Sequence, residues 1–319
     1  MTLKKIAEAA NVSVSTVSKA FSWSSEISEE KRQYIFEIAK REGCYDKHCK
    51  PKFSKKVIAV ICPEVQGGYY TQQITLFEKE IKKRGAVMVV GVSDFDENSK
   101  NEMITYFSQC AKVDGIIVYG STTKTECNVP AVAIGSCNEL DSVVLSHEKA
   151  ILDAVEYFIE NGHKDIAFIG EKRTERTFKM FVEVLKNKGI AIDPDRLIKS
   201  SERFEEAGYE AMNTLLSMDK PVTAVFAAYD RIAVGAMKSI YEHGLDVPGD
   251  ISLIGMNDNS ENHYMNVPLT SITSYNEDFC EIVVGVLFDR IKNGKTKSIK
   301  RINVSAELVK HSSVGKAKQ

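Results

Sequence analysis

The sequence lacks the features of a secreted or membrane-spanning protein. No apolar run approaches the roughly 18 residues that a membrane span needs, and residues 1–8 contain no apolar signal core. The seven cysteines are odd in number and include no Cys-x-x-Cys pair, which argues against a disulfide framework or a cysteine zinc site. We therefore expect reduced, mostly buried thiols and a cytoplasmic protein without membrane contact.

Catalytic and cofactor motifs are also missing. Residues 115–122 have the outline of a phosphate-binding P-loop but lack its lysine, and no Gly-x-Ser-x-Gly nucleophile elbow occurs. The six histidines show no His-x-x-x-His spacing, which argues against a metal site. His163 is expected to end a helix and bond a carbonyl. The sequence thus predicts neither an enzyme nor a cofactor nor a bound metal.

What the chain contains is an ordinary globular composition with uneven charge. Hydrophobic residues make up 43% and charged residues 27% of its 319 residues, so disordered and fibrous classes are excluded and two or three domains are expected. Residues 1–56 contain 12 basic and 7 acidic side chains, whereas the remainder has an excess of acidic ones. A basic head on an acidic body favours a polyanion-binding module attached to a domain with another task.

Three short helices are predicted in the basic head. Thr2, Ser13 and Ser28 are each suited to cap the helix that follows them. Asn11 tolerates the left-handed conformation of a tight turn between the first two helices, and Gly43 ends the third helix. This arrangement is typical of a helix-turn-helix, in which the second helix enters the DNA major groove.

The exposed positions of the second helix are the expected DNA contacts. Val14 is able to touch a thymine methyl, Ser15 to read several bases, and Lys19 to reach guanine or phosphate. The alternative is a plain three-helix cap with a solvated serine and lysine face. The residues expected to contact DNA in the head are Thr2, Lys4, Lys5, Ser13, Val14, Ser15, Thr16, Ser18 and Lys19.

From residue 57 onward, apolar strands alternate with amphipathic helices, which predicts parallel sheets covered on both faces. There are too many strand–helix units for one compact sheet, so we expect two lobes. In such sheets a ligand binds beyond the carboxyl ends of the strands. The predicted strands are 57–61, 86–92, 115–119, 131–134, 166–170, 222–227 and 251–255. The predicted helices are one around Ile74, Phe77 and Ile81, and 98–110, 148–161, 175–188, 204–218, 230–243 and 276–293.

Several runs make the chain resemble the lactose-repressor (LacI/GalR) family of bacterial regulators. Residues 2–7 (TLKKIA) and 11–20 (NVSVSTVSKA) resemble the family's N-terminal signature, and 27–32 (ISEEKR) continues the likeness. Similar landmarks occur through the body, so the resemblance covers nearly the whole chain. They are 113–117 (VDGII), 162–166 (GHKDI), 230–236 (DRIAVGA), 247–255 (VPGDISLIG) and 268–270 (PLT).

The resemblance implies an α/β protein with a three-helix head, residues 1–43, a basic linker, residues 44–56, and a periplasmic-binding-protein-like body, residues 57–319. Lobe one would hold 57–146 and 274–303, and lobe two 147–273, with three chain crossings between them. It further implies a homodimer on palindromic double-stranded operator DNA.

Within the cleft, four matched positions differ from the lactose repressor itself. Gly135, Thr177, Tyr229 and Asn257 stand where it has aspartate, arginine, asparagine and aspartate. The side chains expected to bind a sugar or sugar phosphate are Tyr69, Tyr70, Arg176, Tyr229, Asp230, Asn257 and Asp258. The alternative for Tyr69, Arg176 and Tyr229 is an ordinary surface or packing role.

The linker departs from the family pattern. It is about three residues shorter than in the lactose repressor, has no leucine, and contains Pro51 where a hinge helix would run. An extended linker whose Lys47, Lys50 and Lys52 contact phosphates is favoured, while Phe53 as a minor-groove wedge is the alternative.

These features predict a ligand-responsive transcriptional regulator, most simply a repressor of a carbohydrate-utilisation operon. The second hypothesis is a small-molecule sensor of the same fold whose head binds DNA weakly or without sequence preference.

Overall fold

The computed structural model describes residues 3–45, 55–66, 68–111, 113–120, 127–220, 222–273, 277–294 and 298–318. The chain divides into two compact units, Met1–Lys56 and Val57–Gln319, called here the head and the body. Four predicted DNA contacts, Thr2, Lys47, Lys50 and Lys52, lie outside the described residues, as do Pro51 and Phe53 of the linker.

Three helices form the head: α1 (Leu3–Ala9), α2 (Val14–Phe21) and α3 (Glu29–Arg41). Two of the three predicted caps are confirmed, since the Ser13 Oγ accepts from the Thr16 N–H at 3.0 Å and the Ser28 Oγ accepts from the Lys31 N–H at 3.4 Å. The third, Thr2, lies outside the described residues. The helices enclose a small apolar core of their own. Its buried members are Ile6, Ala7, Ala10, Val17, Ala20, Phe21, Ile35, Phe36, Ile38, Ala39 and Cys44.

The first sheet of the body has the strand order β11-β5-β4-β3-β1-β2, and all its pairings are parallel. Helices α4 (Gly68–Lys83), α5 (Glu97–Thr105) and α10 (Glu277–Asn293) pack on it, with a single π-helical turn, Tyr106–Cys110, after α5. Its strands are β1 (Val57–Cys62), β2 (Val87–Val92), β3 (Gly115–Tyr119), β4 (Ala131–Ile134), β5 (Asp141–Ser146) and β11 (Arg301–Ser305).

The second sheet repeats this order as β12-β10-β9-β8-β6-β7, with only β12 antiparallel among the described strands. Helices α6 (Glu148–Glu160), α7 (Glu175–Asn187), α8 (Phe204–Leu216) and α9 (Asp230–Glu242) cover it. Its strands are β6 (Ile166–Glu171), β7 (Leu197–Ser200), β8 (Ala224–Ala227), β9 (Ser252–Asn257), β10 (Thr270–Thr273) and β12 (Leu308–Val309).

The predicted fold class, a helix-turn-helix head together with a body of two mainly parallel sheets, is confirmed. The chain passes between the sheets three times, after β5, after β10 and after β11. In each sheet the strand order reverses between its first and third strands, which is where doubly wound sheets bind ligands, at the strands' carboxyl ends.

Two glycines allow helices α8 and α9 to pack in unusually close contact. A Cβ at Gly208 would lie 1.9 Å from the Ile232 carbonyl oxygen, and one at Gly235 would lie 1.8 Å from the Glu205 carbonyl oxygen. Since α9 begins at Asp230, directly after β8, this contact also determines where the first residues of α9 lie relative to the sheet edge.

Within the described residues, no helix has the length and apolarity needed to cross a membrane.

Candidate functional site

The second helix of the head presents the residues that the sequence predicts to contact DNA. Val17, Ala20 and Phe21 are buried against α1 and α3, which leaves the opposite face of α2 in solvent. Lys4 and Lys5 of α1 are also exposed. On and before α2, the exposed residues are Ser13, Val14, Ser15, Ser18 and Lys19, and Thr16 is half-buried.

Hydrogen bonds shape the start of α2. The Ser13 hydroxyl lies 2.8 Å from the Ser15 hydroxyl and 2.8 Å from the Thr16 hydroxyl, so three of the polar groups form one local network. Asn11 has a φ of +53°, which matches the left-handed turn expected between α1 and α2. The positive end of α2 therefore presents hydroxyl groups, which suit phosphate and base-edge contacts.

Lys19 is not a free cation in this structure. Its Nζ lies 2.5 Å from the Glu26 carboxylate, and both side chains are exposed. The lysine hydrogen bond lowers the pKa of the Glu26 carboxyl. Any DNA contact by Lys19 must therefore exchange this surface ion pair for a phosphate or a guanine, which the sequence alone did not indicate.

Arg32 holds the loop that carries Glu26. Its Nη2 donates to the Ser24 carbonyl at 2.7 Å and to the Ile27 carbonyl at 3.0 Å, and it stacks on the Trp23 ring at 5.1 Å. This buried arginine fixes the path between α2 and α3, a positioning role that the sequence pattern did not predict.

In the body, a cavity of about 550 Å³ lies between the carboxyl ends of the two sheets. From the first sheet it is lined by Glu64 after β1, Ser93 after β2 and Gly120 after β3. From the second sheet it is lined by Tyr229 after β8 and Asn257 at the end of β9. The cavity therefore occupies the place that the doubly wound topology predicts for a ligand.

One arginine links the two sides of this cavity. Arg203, before α8, binds Glu64 across the cleft through two bonds, Nη1 to Oε2 at 2.9 Å and Nη2 to Oε1 at 3.1 Å. Its Nε also donates to the buried Glu171 carboxylate at 3.3 Å. Bidentate arginine–carboxylate pairs are strong and directional, so Arg203 is the main polar connection between the sheets at this point.

Aromatic rings line the first-sheet side. Tyr70 contacts Tyr69, Phe95 and Tyr119, with ring centroids 4.7, 6.2 and 5.4 Å apart. Arg173 of the second sheet places its guanidinium 3.7 Å from the centroid of Phe95. Arg173 forms no salt bridge with any carboxylate among the described residues, so its charge remains available to a ligand.

Two cavity residues have buried polar atoms without a protein partner. These are the His147 Nε2 and the Asn259 Oδ1, judged over the described part of the chain. Burial, followed by the nearby Arg176 charge, lowers the pKa of His147 to about 4, so its ring is neutral at pH 7. Both groups are therefore suited to hydrogen bonds with ligand hydroxyls.

Five of the seven residues expected to bind an effector line the cavity: Tyr69, Tyr70, Arg176, Tyr229 and Asn257. Gly135 and Thr177, noted above as departures from the lactose repressor, line it as well. Arg176 is exposed and lies 3.7 Å from the Glu148 carboxylate, and the Tyr229 hydroxyl accepts from the Phe204 N–H at 3.4 Å.

Asp230 and Asp258, the other two residues expected to bind an effector, are not among the residues that line the cavity. Asp230 is fully buried and accepts from the Ser271 hydroxyl at 2.6 Å and from the Asn259 N–H at 2.8 Å. Its role is to hold the loop after β9. The Asp258 side chain instead lies beside His263 and His311.

The cavity residues that the sequence analysis missed include three charged ones, namely Glu64, Arg173 and Arg203. Glu64 follows β1 by two residues, so the rule that ligands bind beyond strand ends pointed to it. No local pattern singles out Arg203, which reaches Glu64 over 139 sequence positions. By contrast, His163 was predicted correctly, because its Nε2 lies 3.0 Å from the Gly315 carbonyl oxygen.

Residues 2–43 match the family of bacterial regulatory proteins of the lacI type, and residues 155–314 match the periplasmic binding protein-like domain. The chain is 30% identical to the HTH-type transcriptional repressor PurR of Pasteurella multocida, with 98% of each chain covered. It is 26% identical to the HTH-type transcriptional repressor CytR of Escherichia coli, covering 97% of this chain and 94% of that one.

Solved structures of similar fold cover most or nearly all of the chain. The lac repressor dimer bound to operator and the anti-inducer ONPF has a TM-score of 0.75 at 21% identity, covering 99% of both chains. A LacI family regulator from Enterococcus faecium with bound ribose has a TM-score of 0.71 at 22% identity, covering 82% of this chain and 100% of that one. These relatives are regulators, not enzymes, as the sequence predicted. The chain therefore belongs to the LacI family of DNA-binding transcriptional regulators.

Proposed function

We propose that this chain is a homodimeric repressor of a carbohydrate-utilisation operon, whose affinity for double-stranded operator DNA is controlled by a sugar or sugar phosphate. The head, residues 1–43, binds the operator, and the linker, residues 44–56, adds phosphate contacts. The body, residues 57–319, binds the effector between lobe one (57–146 and 274–303) and lobe two (147–273), and forms the dimer.

The composition of the cavity is the observation that carries this proposal. Tyr69, Tyr70 and Tyr229 offer ring faces for the C–H side of a sugar, and His147 and Asn259 offer the unpartnered polar atoms described above. The Arg173 guanidinium, which forms no salt bridge within the described part of the chain, suits the phosphate of a sugar phosphate. The relative of similar fold that was solved with bound ribose favours a carbohydrate as the effector.

Effector control would operate through the bond that crosses the cleft. A ligand hydroxyl or phosphate that competes with Glu64 for Arg203 changes the preferred angle between the sheets, and hence the spacing of the two heads in a dimer. Such coupling is reciprocal, since operator and inducer weaken each other by the same factor. A coupling of about 1–3 kcal/mol corresponds to about 5–150-fold in affinity.

The test begins with operator sequences selected from a random duplex library by the full-length chain. Titrations of a selected duplex and a scrambled duplex are then compared at near-physiological salt, with and without candidate sugars and sugar phosphates found by thermal shift. A ligand at 100 times its dissociation constant adds about 2.7 kcal/mol of stability, and we expect one such ligand to change affinity for the selected duplex.

The Lys19→Ala variant tests how α2 contributes to duplex binding. The matched control is Lys31→Ala, which changes an exposed lysine on α3. We expect Lys19→Ala to weaken binding to the selected duplex and, where Lys19 reads a base, to relax preference at one position of each half-site. A uniform loss over all duplexes assigns Lys19 to phosphate. Equal affinity of the unmodified chain for selected and scrambled duplexes rejects the repressor proposal and favours the sensor alternative.

A further inference from the structure

Three side chains that commonly bind metals lie together at one end of the second sheet. Asp258 follows β9, His263 lies in the short 3₁₀ turn Ser260–Tyr264, and His311 follows β12. Their ligand atoms all lie within 4.8 Å of one another. The two imidazole rings meet edge to face with centroids 4.9 Å apart. Sequence spacing did not indicate this convergence, because the three side chains come from separate segments.

Two of these side chains have buried atoms whose hydrogen-bonding capacity is unused. The Asp258 Oδ1 and the His311 Nε2 are both shielded from solvent and have no hydrogen-bond partner among the residues that the structure describes. Buried polar atoms in folded proteins are normally partnered. A cation between the carboxylate and the imidazole nitrogens would satisfy both atoms at once.

The backbone holds two of the three ligands in place independently of any ion. The Asp258 N–H donates to the Ser271 hydroxyl at 3.1 Å, and the His311 N–H donates to the Thr270 hydroxyl at 2.9 Å. Both partners belong to the buried strand β10. Asp258 has a φ of +49°, an uncommon conformation that clusters at functional sites. His263 is exposed.

We propose that Asp258, His263 and His311 form a binding site for a divalent transition-metal ion, with Zn²⁺ the best match. Imidazole nitrogen and carboxylate oxygen bind Zn²⁺ at about 2.0–2.2 Å, so tetrahedral ligands lie about 3.4 Å apart. Rotation of the exposed His263 ring closes the difference. Two imidazoles disfavour Mg²⁺ and Ca²⁺, which prefer all-oxygen sites.

The site is placed to influence the cavity. Asp258 lies between Asn257 and Asn259, both of which line the inter-lobe cavity, while His311 belongs to the C-terminal segment. A bound ion would join that segment to the cavity floor and restrict the loop after β9. Any effect of the ion on effector affinity must be matched by an equal effect of the effector on ion affinity.

Calorimetric titration of the untagged full-length chain with ZnCl₂ and with MgCl₂ tests the site. We expect one Zn²⁺ per chain and no measurable Mg²⁺ binding. Substitution of a second-shell residue weakens metal binding about 10–100-fold, so loss of a ligand in His263→Ala or Asp258→Asn should cost at least about 100-fold. His243→Ala, an exposed histidine on the same body, is the matched control and should bind as the unmodified chain does.

Cobalt(II) absorption separates this site from a cysteine site, because Cys110 is also exposed. Visible bands without a thiolate charge-transfer band, lost in His263→Ala and retained in His243→Ala, support the proposal. Equal Zn²⁺ affinities of the unmodified chain and His263→Ala, or a thiolate band in the Co²⁺ spectrum, would overturn it.

Discussion

The head and the body use their polar surface residues in different ways. In the head, the predicted DNA contacts from Ser13 to Lys19 lie within one cap and two helical turns, and buried neighbours on the same helix hold the fold. In the body, Glu64 and Arg203 meet across 139 sequence positions. A residue of the head that is expected to contact DNA can thus be substituted without changing the core of the head. A cavity residue such as Arg203, in contrast, also holds distant segments of the body together.

This difference leads to distinct expectations for substitution. Changes on the exposed face of α2 should alter DNA binding with little loss of stability, because surface substitutions usually cost less than about 0.5 kcal/mol. Changes at the contacts that build the cavity should alter stability and ligand binding together. Four predictions test this difference between the head and the body, in order of decreasing expected effect on stability or binding.

The largest effect is expected where helices α8 and α9 touch. Gly208→Ala would place a methyl group 1.9 Å from the Ile232 carbonyl oxygen, so the helices must separate at a cost of about 5 kcal/mol. Gly285→Ala is the matched control, because on α10 the same methyl would meet only the Arg84 Nη2 at 3.8 Å. The Gly285→Ala substitution should raise the free energy of unfolding by about 0.5–1 kcal/mol. Urea unfolding of both variants measures the two effects, and similar values would show that the close helix contact is not needed.

The second effect concerns the buried carboxyl beneath the cavity. Burial raises the pKa of Asp230 from its ordinary value of 3.8 to about 7. The folded chain therefore holds a proton that the unfolded chain releases at lower pH. The resulting stabilisation is complete below about pH 4 and is lost as pH rises through 7, amounting to about 4 kcal/mol at about 1.4 kcal/mol per pKa unit.

Asp230→Asn isolates this contribution, since an amide oxygen still accepts from Asn259 and its NH₂ is able to donate to the Ser271 hydroxyl. The stability of the unmodified chain relative to Asp230→Asn should fall between pH 4 and pH 7. A difference that stays constant over this range would show that Asp230 titrates normally.

A smaller effect is expected at the bond that crosses the cleft. Arg203→Gln leaves the carboxylate of Glu171, which is only 3% exposed, without its arginine, and should cost about 2 kcal/mol. Arg231→Gln removes a comparable pair with Glu205, whose side chain is 44% exposed, and should cost less than about 1 kcal/mol. Thermal unfolding of the two variants gives the comparison. Equal losses would mean that the body tolerates substitutions at cavity cross-links as readily as at surface pairs.

The smallest effect is expected in the head. Glu26→Gln removes the carboxylate that pairs with Lys19 and should strengthen operator binding about 2–5-fold, in line with the weak energies of exposed pairs. Glu37→Gln, an exposed change of the same charge on α3, serves as the control in the same duplex titration. An equal gain in both variants would assign the effect to net charge instead of to the ion pair.

The helices and central strands followed closely from the sequence, because apolar periodicity and capping residues are local signals. The predicted strand 115–119 and the helix 148–161, for example, agree with β3 and α6 to within one residue. The missed strands β5, β7, β10, β11 and β12 are short, polar or at sheet edges. In β11 the burial alternates along Arg301–Ser305, and such a strand is identified mainly by the neighbour with which it pairs.

The cavity was predicted in position but only partly in composition. Tyr69 and Tyr229 were named because they occupy positions that match the cleft of the resembled family, and both line the cavity. Asp230 and Asp258 follow strands, yet the first is buried by Ser271 and Asn259, and the second turns towards two histidines. Side-chain direction after a strand depends on loop conformation, which the residue pattern does not specify.

Residue order alone was sufficient to indicate the helix-turn-helix head, the paired α/β lobes and the family, because caps, periodicity and motif spacing act over a few residues. Folding in three dimensions determined that Arg203 joins Glu64 to Glu171, that Lys19 pairs with Glu26, and that Asp258 lies with His263 and His311. The physical reason is that charge pairing and metal ligation depend on distances of a few ångströms between atoms, and packing of distant segments sets those distances.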